Sequence, residues 1–321
     1  MKNIHTLSYI VLFLVCTLFN FTVVLASENI GNAQDVQSNQ VTQNNQANQV
    51  INFQDLTFKI GTSKQEFLQL EPIPIFINLA NEQSYPVVGH FSVDFSLGAV
   101  KLLIAPIGQD LVVSEQQLNP VRVSLKRKNR TIQPKESYQT TEQLTMGLET
   151  LFPSLGQYQL QLVMNDATGS QKLYSNKIIV NIIKPIGNSL EAYQYLQTNT
   201  KTEYIFSGFY DSRSKEQLEY IANNFADTVY GKQIIFQLAK VSFANKEYEK
   251  AINYLEALLK DKDFAFNDEI LVNLAQANAN LDNKEKAKKY LERLVKDYPN
   301  SKHAKIGIRY PVSTSSEDYQ Q

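Results

Sequence analysis

Two stretches decide how this chain folds: QIIFQLAKVSFANKEYEKAINYLEALL at residues 233–259 and EILVNLAQANANLDNKEKAKKYLERLV at residues 269–295. They superpose at a shift of 36 residues. Ile235, Leu238, Ala239, Ala251, Leu255 and Leu258 fall on Leu271, Leu274, Ala275, Ala287, Leu291 and Leu294. Apolar residues three and four apart lie on one face of a helix, so each stretch predicts a pair of antiparallel helices. Ala239 and Ala251 sit where the first pair crosses, and Ala275 and Ala287 where the second does. Small side chains at a crossing let two backbones approach closely.

The helical period begins near Asn188, after a joint made by Pro185 and Gly187, and runs to about Tyr298. Two repeats alone bury too little surface, because each unit needs a neighbour over its face. Leu190, Tyr193, Leu196, Ile205, Phe206, Phe209, Leu218, Ile221 and Phe225 supply apolar surface upstream. They predict a degenerate repeat or helical cap across residues 188–225, or helices that pack on the preceding domain.

Upstream of the joint the period is two. Phe91, Val93 and Phe95 alternate with polar residues, as do Val121, Val123 and Leu125, and Tyr158, Leu160, Leu162 and Met164. Turn residues at 81–86, 108–110, 128–130 and 165–169 separate these runs. Seven or eight short strands at that spacing predict a two-sheet sandwich over residues 51–184.

Both halves resemble known families. Glu71-Pro-Ile-Pro-Ile-Phe-Ile-Asn-Leu-Ala-Asn81 is similar to the opening strand and Asn-led turn of immunoglobulin-like domains of bacterial surface proteins. Leu155-Gly-Gln-Tyr158-Gln-Leu160 resembles the entry of a late strand in that family, although the usual Cys and Trp are missing. The resemblance implies that the Tyr158 hydroxyl bonds back to nearby backbone at a corner. Residues 232–300 resemble tetratricopeptide repeats, whose period is about 34 residues. Tyr248 holds the family's aromatic position in the first repeat, Lys284 replaces it in the second, and Pro299 closes the second. The two additional residues fall in the connection at 262–268, where insertions are expected to be tolerated.

That second resemblance implies that the first helix of each pair lines a groove for an extended peptide or a partner helix. By motif position the lining is Gln233, Phe236, Lys240 and Phe243, then Glu269, Val272, Gln276 and Asn280. Phe236 and Phe243 are the implied anchors; the competing reading makes both of them core.

The first residues read as an export signal. Lys2 supplies a positive end, and an apolar run closes at Val23-Val-Leu-Ala26, with Val24 and Ala26 fitting the small-residue rule for cleavage. Cutting after Ala26 removes the only cysteine, Cys16. A chain without disulfides suits a bacterial periplasm or surface. If the signal stays uncleaved it is a membrane contact. Residues 27–50 are dominated by Asn and Gln with no apolar face and read as a disordered tether. Residues 311–321 read as a disordered tail.

Composition removes several functions. Lys plus Arg number 31 against 32 Asp plus Glu, a formal net charge of −1, so nucleic acid is not expected as a partner. The absence of Trp among 17 Tyr and 17 Phe disfavours stacking on sugars. His90 and His303 lie in different predicted domains without metal-ligand spacing, and no phosphate loop, nucleophile elbow or Cys nucleophile is present. The acids and lysines of the helices interleave as solvated faces, the basic run at 126–130 reads as a solvated hairpin, and Asn129-Arg-Thr131 as a chance sequon.

The expected protein is therefore multidomain: a signal at 1–26, a tether at 27–50, an all-β immunoglobulin-like sandwich at 51–184, an all-α tetratricopeptide-like array at 188–310, and a tail at 311–321. No catalytic residue, metal or cofactor is expected. The expected role is an exported, periplasmic or cell-surface scaffold that binds another exported or envelope protein. The alternative is a carbohydrate- or cell-wall-binding protein that uses the sandwich, with the helices as spacer.

Overall fold

Tyr158, Leu160, Leu162 and Met164 point to one side of the longest strand and are all buried, so the period-two reading translates directly into a half-buried strand. In the computed structural model the described residues are 53–89, 92–93, 95, 99–114, 118, 130–166, 170–199, 206 and 212–304. The signal at 1–26, the tether at 27–50, the strand at 121–125, the basic residues at 126–129, His90, Phe91, Asp94, Ile205, Phe209 and the tail at 311–321 lie outside them.

A 3₁₀ turn at Phe53–Asp55 leads into eleven described strands. They are β1 (Leu56–Gly61), β2 (Glu66–Leu68), β3 (Ile73–Asn81), β4 (Val87–Gly89), β5 (Val100–Pro106), β6 (Val112–Val113), β7 (Arg130–Ile132), β8 (Ser137–Leu144), β9 (Gly156–Asn165), β10 (Lys172–Tyr174) and β11 (Ile178–Ile183). One sheet has the order β1-β3-β8 and a larger one β2-β11-β9-β5-β6, with β10 on β9; β4 and β7 form a separate pair. All of these pairings are antiparallel except β11 with β2. Side chains of both larger sheets, among them Phe58, Ile75 and Ile77 from one and Leu102, Leu160 and Val180 from the other, share one hydrophobic core.

Polar residues fix the ends of these strands. Asn81, wholly buried at the end of β3, donates to the carbonyls of Tyr85 at 2.8 Å and Ile132 at 2.9 Å and accepts from the Gln83 amide at 3.0 Å. It holds the Asn-led turn expected from the sequence. Asn176 imitates a strand residue, accepting from the Ile60 amide at 2.7 Å and donating to the Ile60 carbonyl at 3.0 Å. Edge strand β1 is thereby tied to the chain before β11. Tyr158 donates to the Ser154 carbonyl at 3.0 Å, the corner contact its position implies. One strand expectation fails in part: Val93 and Phe95 are buried, but Val93 lies outside any strand and Phe95 in a 3₁₀ turn. Burial there comes from packing without a ladder.

A four-residue helix, α1 (Leu148–Leu151), bridges β8 and β9. After the joint come α2 (Gly187–Asn199), α3 (Ser212–Asn224), α4 (Val229–Ala244), α5 (Tyr248–Leu258), α6 (Asn267–Asn280) and α7 (Lys284–Asp297). Gly187 starts α2 with φ at +56°, a conformation that costs a residue with a Cβ. Each helix from α3 onward packs on the next, and α2 packs on α4, as expected for the stacked pairs α4/α5 and α6/α7. Ala239, Ala251, Ala275 and Ala287 are each fully buried at the crossings.

Helices α2 and α3 precede the two repeats and touch through an aromatic contact. Tyr195 and Tyr220 stack at 4.5 Å between α2 and α3. The hydroxyl of Thr228 caps α4, accepting from the Gly231 amide at 3.0 Å and donating to the Phe225 carbonyl at 2.7 Å. These helices also join the β-domain. Tyr193 lines a small cleft with Leu68, Gln69, Leu148, Phe152 and Ile182, and the core of the β-domain continues without interruption into α2, α3 and α4.

Candidate functional site

The first helices of the two repeats, α4 and α6, carry every residue expected to line a groove. Lys240 reaches from α4 to Glu269 on α6 at 3.3 Å, and its ammonium lies 5.3 Å from the centre of the Phe236 ring. These three residues therefore sit together on one face. The remaining five divide according to what the rest of the chain does to them.

Gln233 is buried and accepts a hydrogen bond from Gln143 of β8 at 2.8 Å. Phe236 is 2% exposed, with Phe266 stacked on it at 5.3 Å and Phe264 edge-on at 5.6 Å. Those two rings come from the connection at 262–268. The Asn267 amide orders that connection by donating to the carbonyls of Asp261 and Lys262 at 2.9 and 3.1 Å. The inserted residues thus form core rather than a free loop. Val272 is buried in a small cluster with Leu271, Leu294 and Ala304. Phe243 is half-buried, edge-on to Tyr248 at 5.3 Å. Gln276 and Asn280 are exposed, and Asn280 donates to the Gln276 carbonyl at 2.8 Å.

The chain itself covers one end of this face. Among the described strands β8 is an edge of the smaller sheet. Its Gln139 makes an isolated parallel bridge with Ser301, in the turn after α7. Its Glu142 carboxylate accepts from the Lys302 ammonium at 3.4 Å. Its Gln143 reaches Gln233, so three residues of one edge strand engage the array. The positions left open on the face are Lys240, Phe243, Gln276 and Asn280.

Charges collect where α6 meets this turn. Burial alone would raise the Glu269 carboxyl, but Lys240, His303 and Lys302 overcome it and hold the group down at about 2. Burial lowers His303 below its ordinary value, with Glu269 and Asp268 opposing the shift and Lys302 and Lys240 adding to it. Elsewhere in the array, Lys232 bonds to Asp261 at 2.6 Å and keeps that carboxyl low.

One turn before Gln233 on α4, Tyr230 is fully buried and its hydroxyl donates to the Gln69 carbonyl. Burial, then the nearby Glu71, raises the Tyr230 hydroxyl above the ordinary tyrosine range. Glu71, itself buried, is raised by desolvation against the pull of Lys64 at 2.7 Å. Leu70, between β2 and β3, holds a left-handed φ of +63° beside it. Gln143, Glu142, Ser301 and Lys302 had no signal in the sequence as partners of the helices. Their roles depend on which edge of a sheet meets the array.

Among the described residues no cluster of His, Cys, Asp and Glu is placed to hold a metal ion. No described helix is long and apolar enough to cross a membrane.

Comparison with known proteins bears on the helical half. The tetratricopeptide repeat family profile matches residues 269–301, the segment of α6, α7 and the following turn. No protein of curated description matches the chain. Among solved structures, Spo0M, a sporulation control protein from Bacillus subtilis, matches at 10% identity and TM-score 0.28, over 45% of this chain and 55% of its own. A β-glucosidase from Listeria innocua matches at 8% identity and TM-score 0.26, over 42% of this chain and 17% of its own. The PapD-like domain 7 of human CEP192 matches at 8% identity and TM-score 0.20, over 50% of this chain and 99% of its own. Likenesses at these scores assign no fold. The chain therefore joins a β-strand domain to a tetratricopeptide-like helical region, a repeat type that mediates protein interaction without catalysis, which accords with a non-enzymatic protein.

Proposed function

We propose that the protein is an exported scaffold of a bacterial cell envelope, which binds another exported or envelope protein through the face of α4 and α6. The observation that carries this reading is the stacking of paired helices through four buried alanines, with Lys240, Phe243, Gln276 and Asn280 left accessible on their first helices. A helical face with a cation, a half-buried ring and two carboxamides suits a polar, extended segment of a partner. Gln233, Phe236 and Val272 contribute by shaping the face from beneath rather than by touching the partner.

The β-domain is read as an immunoglobulin-like sandwich. Its shared core between two sheets, its Asn-led turn at Asn81 and its tyrosine corner at Tyr158 support that reading. Export rests on the amino-terminal sequence, and N-terminal sequencing of the protein from its native envelope should begin at Ser27.

The binding reading is tested by crosslinking in the native envelope and peptide identification, repeated with Lys240, Gln276 and Asn280 all replaced by Ala. The variant should fold normally and lose the crosslinked partner. A folded variant that keeps the same partner at the same yield removes this face from the function.

A further inference from the structure

Two carboxamides on α4 and α6 lie outside the eight positions that the repeat motif marks. Gln237 and Asn273 hold the same place in the two repeats, and they flank the Lys240–Glu269 ion pair, one turn before Lys240 and one turn after Glu269. With 6% and 9% of their surface exposed, both residues are buried. Among the described residues neither carboxamide has a hydrogen-bond partner, and their amide tips remain open to solvent. A buried polar group costs free energy until a partner satisfies it, and most such groups in native proteins have one. Gln233, one turn before Gln237 on the same stripe of α4, has its partner within the chain: it takes the carboxamide of Gln143 at 2.8 Å. Gln237 and Asn273 continue that amide-bearing stripe past the point where the chain covers it.

We infer that Gln237 and Asn273 read the main chain of the partner, each taking a peptide group of an extended segment laid across α4 and α6. The inference rests on the proposed function, since it states which part of the partner the face recognises. A carboxamide offers an acceptor oxygen and a donor amine, the complement of the N–H and C=O that a peptide unit presents. Between the two carboxamides, Lys240 and Glu269 cancel each other's charge at 3.3 Å, so the site offers hydrogen bonds rather than a net field. Recognition of this kind is indifferent to sequence. Selection among partners then falls to the open side chains of Lys240, Phe243, Gln276 and Asn280.

The probe is a blocked hexapeptide of alternating serine and threonine, titrated into the full chain while the side-chain amides are followed by NMR. The Gln237 and Asn273 signals should shift saturably. The same peptide N-methylated at every second residue has lost half its donors and should bind about fivefold more weakly or worse. Gln237→Met combined with Asn273→Leu keeps the volumes and removes both amides. Binding by this variant should fall by about tenfold or more, whereas its urea midpoint should stay level or rise, because an unpartnered buried amide contributes nothing to the fold. A lowered midpoint marks the two residues as structural and overturns the inference. So does equal binding by the double variant or by the methylated peptide, or the lack of any saturable shift in the unaltered chain. A tetrasaccharide of N-acetylglucosamine that shifts the two amides where the peptide does not overturns it in favour of a glycan. In the native envelope the double variant should lose the partner that crosslinks to the unaltered chain. Retention there, with loss on replacing Lys240, Gln276 and Asn280, overturns main-chain recognition and leaves the proposed function standing.

Discussion

The β-domain and the helical array are joined in two chemically different ways. Around Tyr230 the contact is a core that runs unbroken from the strands into α2, α3 and α4, and the Tyr230 hydroxyl finds the Gln69 carbonyl. Along β8, Glu142 and Gln143 meet the array through polar contacts with Lys302 and Gln233, and Gln139 bridges Ser301, beside the charged group of Glu269, His303 and Lys240. Apolar burial sets how strongly two parts hold, whereas polar contacts lose almost as much to water as they gain. The apolar contact should therefore fix the stability of the joined unit, and the polar one should add little to it.

The comparison breaks most visibly at Tyr230. Tyr230→Ala removes a fully buried ring and should cost about 3–5 kcal/mol in urea denaturation, the range for large aromatic truncations. A loss near zero would show that the apolar end does not carry the junction. Gly231 comes next, because a Cβ there would lie 1.9 Å from the Phe225 carbonyl oxygen, which is backbone and cannot turn aside. Gly231→Ala must push α3 away from α4, and a cost of about 1–3 kcal/mol is expected, as for overpacking in a close-packed interior. Tyr230→Phe keeps the ring and leaves the Gln69 carbonyl without its donor, so about 1–2 kcal/mol should be lost. The difference between the two Tyr230 substitutions separates packing from hydrogen bonding at this end.

These expectations also mark what could be read from the sequence. Ala239, Ala251, Ala275 and Ala287 announced the crossings because a helix repeats its faces on a fixed period, and a repeat states its packing twice. Strand β9 and the turn at Asn81 were legible for the same reason, since alternation and turn chemistry are local. The face itself was legible only in part. Motif position placed Gln233, Phe236 and Val272 on it, yet what covers them comes from elsewhere: Phe264 and Phe266 from an insertion, Gln143 from an edge strand about 90 residues away, Ala304 from the chain after α7. Periodicity describes one element's own faces and carries no information about which edge of a distant sheet will dock there. His303 illustrates the limit further, for nothing in its neighbours in sequence marks it as a half-buried group beside Glu269.

The smallest effect sharpens the charged end, and it is read from pH. His303 is held below its ordinary value near 6.5, so on acidification the unfolded chain takes up a proton before the folded one does. Stability from this group is present above about 6.5 and declines as pH falls toward its lowered folded value. Glu269 adds a second window: its carboxyl titrates near 4.5 when unfolded and at about 2 when folded, so its contribution holds above 4.5 and is lost between these values. The groups facing His303 are Glu269 and Asp268 from α6, Lys240 from α4, and its neighbour Lys302. Hydrogen exchange at the β8 amides should rise across both windows, while exchange around Tyr230, which titrates only in alkali, should not follow it in the upper one. His303→Gln should flatten the upper window and leave the lower one in place. An unchanged upper window in that variant would assign the acid sensitivity to another group, and parallel loss of protection at Tyr230 and β8 would mean that the two ends open as one.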